Sequence, residues 1–317
     1  MDMAEWQIPE YADPATFEER EVMLGSGEFT VPGTVSVPRG AGPFPAAVLL
    51  AGGGPFDRDA TVGTNKSLKD IAWGLATRGI AVLRFDKVTG AHADRFWASN
   101  PTPAGEYVPH ALSAIELLSA EPGVSQVFVV GHSMGGKLAP RVAAAAPAVA
   151  GIAILAGDTQ PMQWAMVRVL RHLHEVDPVT AAGLPPVATA VEQAKVVDSQ
   201  ELSLSTPPDS LPFGAPGSYW LDLRAYDPVG TAAALDRPIF LAQGGRDYQV
   251  TVADDLPGWQ AALADRPEVT IRIYDADDHM FFPGAGPSLP ADYLRPHHVD
   301  PAVITDLADW IAAVPNP

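Results

Sequence analysis

Three continuous apolar runs, Pro45–Ala51 (PAAVLLA), Ile80–Phe85 (IAVLRF) and Gln126–Val130 (QVFVV), alternate with segments whose apolar residues recur at helical spacing. Runs without polar alternation belong to strands buried on both faces, and such strands occur in parallel sheets crossed by helices. Between the first two runs, Leu68, Ile71, Ala72 and Leu75 mark one helix, with Asn65 or Thr64 as N-cap and Gly79 at its C-terminal end. Between the second and third, Val108, Ala111, Leu112, Ile115 and Leu118 mark another, stopped by Pro122-Gly123. This β-α-β-α-β order restricts the chain to an α/β fold, a mostly parallel sheet with helices on both faces.

The remaining segments extend that sheet. Val149–Leu155 and Pro238–Ala242 read as two more buried strands, Val269–Tyr274 alternates like a strand nearer an edge, and Phe17–Val37 reads as a hairpin broken at Gly25-Ser26-Gly27. The total is about eight strands, and the closing helix is expected over Pro301–Ala313. From Gly157 to Asp227 the βα rhythm is lost. Helices over Pro161–Val176 and Val187–Val197 and the Pro-rich stretch Thr206–Gly217 predict a helical cap, residues 157–226, inserted into a core formed by 1–156 and 227–317. A chain of 317 residues leaves room for such an appendage.

Composition removes several classes of function. A net charge of −18 without a Lys/Arg stripe argues against nucleic acid as a partner. The absence of cysteine removes disulfides, thiolate nucleophiles and Cys-based zinc sites. No H-E-x-x-H spacing occurs, and His172 and His174, two apart, diverge on a helix, so no metal and no other cofactor is expected. The acidic, Pro-interrupted start MDMAEWQIPEYADPATFEER lacks the features of a secretion signal, and no run is long enough to span a bilayer; the expected location is cytoplasmic, with no membrane partner.

The chemical signal is Gly131-His132-Ser133-Met134-Gly135, placed directly between the strand QVFVV and the small-residue segment GKLAPRVAAAA. In that strand-turn-helix setting G-x-S-x-G lifts a serine hydroxyl above a sheet. An unaided serine is a poor nucleophile and needs a base, itself oriented by an acid. Asp247 follows the strand PIFLA in GGRD, and His279 follows the last strand in YDADDHM, in the chain order Ser, Asp, His. Asp222 and Asp227 are alternative acids. His132 is expected to point away from Ser133, and Asp275, Asp277 and Asp278 either raise the pKa of the neighbouring imidazole or form a solvated turn. Met134, after the nucleophile, and Gly53, in the Gly52-Gly53-Gly54 loop, are the candidate backbone donors to an oxyanion. No phosphate-binding pattern follows that loop. Met162, Trp164, Met166, Phe213, Tyr219 and Trp220 are candidates to line a pocket or to pack within the cap.

The segments AGGGPFDRDATVGTNKSLKDIAWGLATRGIAVLRFDK, GHSMGGKLAPRVA, YWLDLRAYDP, QGGRDYQV and YDADDHMFF resemble the α/β-hydrolase superfamily, and within it a bacterial branch of esterase-like and dienelactone-hydrolase-like proteins. The resemblance implies a triad of Ser133, Asp247 and His279 and an oxyanion hole of Gly53 and Met134. It also implies that Asp57, Arg58 and Asp59 form an ion-paired brace under the glycine loop. Gly52 departs from the histidine many members carry there, and Pro140 interrupts the hydrogen-bond ladder of the nucleophile helix, which the branch tolerates. The expected activity is cleavage of a carboxylic ester through an acyl-enzyme. Alternatives are a thioesterase or acyltransferase acting on a larger acyl group, or a binding or ring-forming protein that does not hydrolyse. A small acyl ester or thioester is the expected partner, and a homodimer the one protein partner allowed for.

Overall fold

The computed structural model describes residues 5–316. Eight strands form one sheet: β1 (Phe17–Leu24), β2 (Val31–Pro38), β3 (Phe44–Leu50), β4 (Ala81–Phe85), β5 (Val124–His132), β6 (Val149–Leu155), β7 (Ile239–Gly244) and β8 (Val269–Tyr274). Their spatial order is β1-β2-β4-β3-β5-β6-β7-β8. β2 pairs antiparallel with β1 and β4, and every pair from β4 onward is parallel. The apolar runs are the central strands, as their lack of alternation requires, and β8 closes one edge with Ile273 exposed.

The two faces of β3 sort its side chains by the two-residue period of a strand. Ala46, Val48 and Leu50 face a core shared with the helices α2 (Pro103–Ser119) and α3 (Met134–Ala145), whereas Ala47 and Leu49 face a second core shared with α1 (Ser67–Thr77) and the closing helix Pro301–Ala313. α1 ends as its glycine predicts: Gly79 has φ +81, with Gly79 N–H donating to Ala76 O and Ile80 N–H to Leu75 O, a Schellman closure. Its start differs from expectation. Lys66 occupies the N-cap position, and Asn65 sits in a short hairpin, Thr61–Val62 with Asn65–Lys66. There the Asn65 carboxamide donates to Tyr293 O and Arg295 O and accepts from His297 N–H, so a remote chain segment takes its hydrogen bonds. α3 continues unbroken through Pro140.

Between β6 and β7 lie α4 (Met162–Val176), α5 (Val187–Asp198) and α6 (Gly217–Ala225). Only part of this stretch forms its own apolar cluster, with Val167 and Leu170 of α4 against Ala190 and Ala194 of α5. Val197, Leu211, Tyr219, Trp220 and Leu223 belong instead to the core of α2 and α3. Arg141 of α3 grips Asp222 of α6 through two 2.7 Å bonds, and the Tyr226 hydroxyl donates to Lys137 O at 2.9 Å. Among the described residues no helix is long and apolar enough to cross a membrane.

Candidate active site

β5 ends at His132 and α3 begins at Met134, so Ser133 alone makes the turn, at φ 55° and ψ −121°. Such a conformation costs on the order of 1–3 kcal/mol for a residue with a side chain and persists only where packing enforces it. Here the Ser133 N–H donates to Leu155 O (2.8 Å) and Ser133 O accepts from Lys137 N–H (2.9 Å). Both motif glycines are demanded by space. A Cβ on Gly131 would lie 2.1 Å from Gly135 O, and one on Gly135 would lie 2.4 Å from Leu50 O.

Three side chains from distant parts of the chain converge at this turn. His279 Nε2 lies 3.0 Å from Ser133 Oγ, and His279 Nδ1 lies 2.7 Å from Asp247 Oδ2. An ionised carboxylate only accepts, so Nδ1 carries the proton and Nε2 is left to accept from the serine hydroxyl. Asp247 Oδ1 accepts from the N–H groups of Gln249 (2.7 Å) and Val250 (3.0 Å), and Oδ2 also accepts from Gln243 Nε2 (3.2 Å), so the buried carboxylate is fully satisfied. Burial opposes the imidazolium form of His279, but the charge and hydrogen bond of Asp247 outweigh it and raise the pKa above the ordinary histidine value.

The loops carrying these groups are tied together. Arg246 N–H donates to Asp277 O, and Asp278 Oδ1 accepts from Met280 and Phe282 N–H, curving the chain around His279. The three acids near His279 therefore divide: Asp278 shapes the loop, Asp277 is buried, and Asp275 is exposed. The alternative acids are engaged elsewhere, Asp222 with Arg141 and Asp227 as N-cap to Gly230.

Gly53 and Met134 meet beside Ser133. A Cβ on Gly53 would sit 3.7 Å from Met134 Cβ, and one on Gly52 would sit 3.2 Å from Ser133 Cβ, a tight contact that a side chain there would relieve only by shifting Ser133 by a few tenths of an ångström. Met134 is the first residue of α3, so its N–H is among those no intrahelical carbonyl accepts. Under the loop, Arg58 pairs with Asp86 (2.9 Å) and Glu21, and Asp59 pairs with Arg84 and Lys66 (each 2.9 Å). Asp57 has no ion pair among the described residues and accepts from Asp59 and Thr61 N–H.

A cavity of about 690 Å³ opens over Ser133, walled by Phe56, Trp97, Met162, Phe213, Tyr219 and Tyr293 among others. Of the six residues singled out in the stretch between β6 and β7, Met162, Phe213 and Tyr219 line it. Trp220 is wholly buried in the main core, and Trp164 and Met166 pack with the α4–α5 cluster. His132 borders the cavity: its ring lies 4.9 Å from that of His279, and its Nε2 pairs with His279 O at 2.7 Å. Burial and the neighbouring His279 lower its pKa to about 4, so it is neutral and donates that bond. Sequence reasoning also missed Lys87, Glu106 and Tyr107, a buried group under the glycine loop; no local motif announces it. Among the described residues no cluster of three or more His, Asp or Glu side chains could hold a metal.

The strand order, the serine turn after β5 and the loops after β7 and β8 define an α/β-hydrolase fold. Solved structures agree: an esterase of Pyrococcus furiosus superposes with TM-score 0.58 at 13% identity, covering 98% of this chain and 96% of its own. Est1E from Butyrivibrio proteoclasticus gives TM-score 0.56 at 13% identity, covering 92% and 99%. No family model matches the sequence. In sequence the chain is 36% identical over 307 residues to esterase EstD of Thermotoga maritima, spanning 97% of this chain and 70% of that protein. The chain belongs to the esterase-like α/β-hydrolase family that contains EstD.

Proposed function

We propose that this protein is a serine hydrolase that cleaves neutral carboxylic esters through an acyl-enzyme. The observation that carries the reading is the continuous hydrogen-bond chain from Ser133 Oγ through His279 to the buried Asp247. Ser133 Oγ attacks the ester carbonyl while His279 Nε2 takes its proton, and Asp247 stabilises the imidazolium that forms. The carbonyl oxygen, now an alkoxide, is received by the N–H groups of Gly53 and Met134. The imidazolium then returns the proton to the leaving alkoxy oxygen as the C–O bond breaks. Water, deprotonated by His279, attacks the acyl-serine and releases the acid. Residues 157–226 act as the cap that shapes the acyl pocket, a role supported by Met162, Phe213 and Tyr219 in its wall.

The wall is aromatic and apolar, and its charged members outside the triad are Glu106 and Asp158, both carboxylates, with no Lys or Arg among the described lining residues. Both are held from behind by ammonium groups, Glu106 by Lys87 and Asp158 by Lys137. Such a wall offers an anionic substrate no partner, which favours neutral esters. The decisive experiment is labelling with a fluorophosphonate: the protein takes up one equivalent, and Ser133→Ala takes up none while hydrolysis of a nitrophenyl ester is lost. Labelling of Ser133→Ala at the wild-type rate would remove this serine from the chemistry.

A further inference from the structure

A buried polar group outside the triad lies beneath the glycine loop. Lys87 is 4% exposed, and its ammonium has three acceptors: Gly52 O at 2.7 Å, Tyr107 Oη at 2.8 Å and Glu106 Oε1 at 2.7 Å. Three donors meet three acceptors, so the group is saturated and held in place. Tyr107 Oη in turn donates toward Gly52 O (2.9 Å) and Ala51 O (3.1 Å), and Tyr219 Oη of α6 takes the other Glu106 oxygen at 2.7 Å. Two donors, one of them a cation, thus converge on the Gly52 carbonyl.

That carbonyl shares a peptide unit with the Gly53 N–H. The unit is planar and trans, so C=O and N–H point in opposite directions. A Gly52 oxygen drawn down onto Lys87 sends the Gly53 N–H up, on the side facing Ser133 and the cavity. A glycine-rich loop has little intrinsic preference for one peptide orientation over the flipped one, so some external group must choose. Hydrogen bonding at the oxygen also strengthens the N–H as a donor, by about 10–30% per bond in condensed phase.

We propose that Lys87 is a positioning residue for the oxyanion hole, which orients and polarises the Gly52–Gly53 peptide so that Gly53 N–H meets the developing alkoxide. Tyr107 assists, and Tyr219 links the same network to the inserted segment. The proposal rests on the ester-hydrolase reading above. Loss of a single oxyanion donor costs about 10²–10³ in kcat, which sets the scale expected when this donor is no longer aimed.

Removing Lys87 alone would strand the Glu106 carboxylate, so the test pairs Lys87→Met with Glu106→Gln. Three quantities are read with a neutral nitrophenyl ester: kcat, the affinity of a trifluoromethyl ketone that adds to Ser133 and forms an oxyanion, and the affinity of the matching alcohol, which forms none. The expected result is a kcat about 10²-fold lower, ketone binding weakened by the same factor, and alcohol binding within about twofold of wild type. Tyr107→Phe keeps the ring and provides a milder variant, with the same signature at several-fold size. Parallel loss of ketone and alcohol binding in both variants would mean a structural support only, and an unchanged kcat in both would likewise overturn the role of Lys87. A Ser133→Ala protein that turns the ester over at the wild-type rate would instead overturn the serine-hydrolase reading on which the proposal rests.

Discussion

Replacing Asp247 by asparagine is the sharpest probe of the site, because every hydrogen bond to that side chain is directional. One oxygen accepts from two backbone N–H groups and the other from His279 Nδ1 and Gln243 Nε2, so the position is surrounded by donors alone. An asparagine must place its NH₂ against one of these sets. If it faces the backbone pair, the buried Val250 N–H and the part-buried Gln249 N–H lose their acceptor, at up to about 1–3 kcal/mol each. If it faces His279, the amide donates to Nδ1 and drives the ring proton to Nε2, where it can no longer accept from Ser133. The second arrangement keeps more bonds and inverts the tautomer. Loss of activity on the order of 10⁴ in kcat is expected, about 5.5 kcal/mol of transition-state stabilisation. The pH profile adds an independent signature. On the proposed mechanism His279 must be neutral to act as base, so the wild-type rate is expected to rise with pH through the raised pKa of that group. Without the carboxylate charge that pKa falls, and the acidic limb of the variant's residual activity moves to lower pH. The assay is kcat and kcat/KM on a nitrophenyl ester between pH 5 and 10, with the thermal transition followed in parallel. A loss below tenfold, with the acidic limb in place, would refute the coupling of Asp247 to His279.

Two further outcomes test the surroundings. Asp277 is wholly buried, its oxygens find no N–H donor among the described residues, and burial first, then the charge and hydrogen bonding of Asp300 and the charge of Asp278, push its carboxyl up to about 8. The folded protein therefore holds a proton that the unfolded chain releases near pH 4, so this group's contribution to stability falls as pH rises from about 4 to 8. Asp277→Asn should gain in urea midpoint over the wild type between pH 5 and pH 9; a difference that does not grow with pH would place the proton elsewhere. For the substrate, a nitrophenyl ester bearing a terminal carboxylate should be cleaved at least about tenfold less efficiently than its neutral isostere, given the Glu106 and Asp158 wall. Equal kcat/KM would show that the wall does not act on substrate charge.

Sequence alone carried the features that depend on neighbours along the chain. The buried strands declared themselves by unbroken apolar runs, β8 and the closing helix fall on the residues expected, and the α1 terminus follows from one glycine at positive φ. The serine turn was legible because its sterics are local: Gly131 and Gly135 are needed within four residues of each other. Other features were decided by residues far apart in sequence. Asn65 looked like a cap and instead anchors the chain near residue 295, His132 supports His279 across 147 positions, and Lys87 reaches Gly52 across 35. Trp220 reads in the sequence either as a pocket residue or as packing within the cap, and it belongs to the main core. Periodicity and turn chemistry are written in short windows, so a sequence states them directly. Which buried donor finds which carbonyl depends on how strands and loops stack, and only the folded chain decides that.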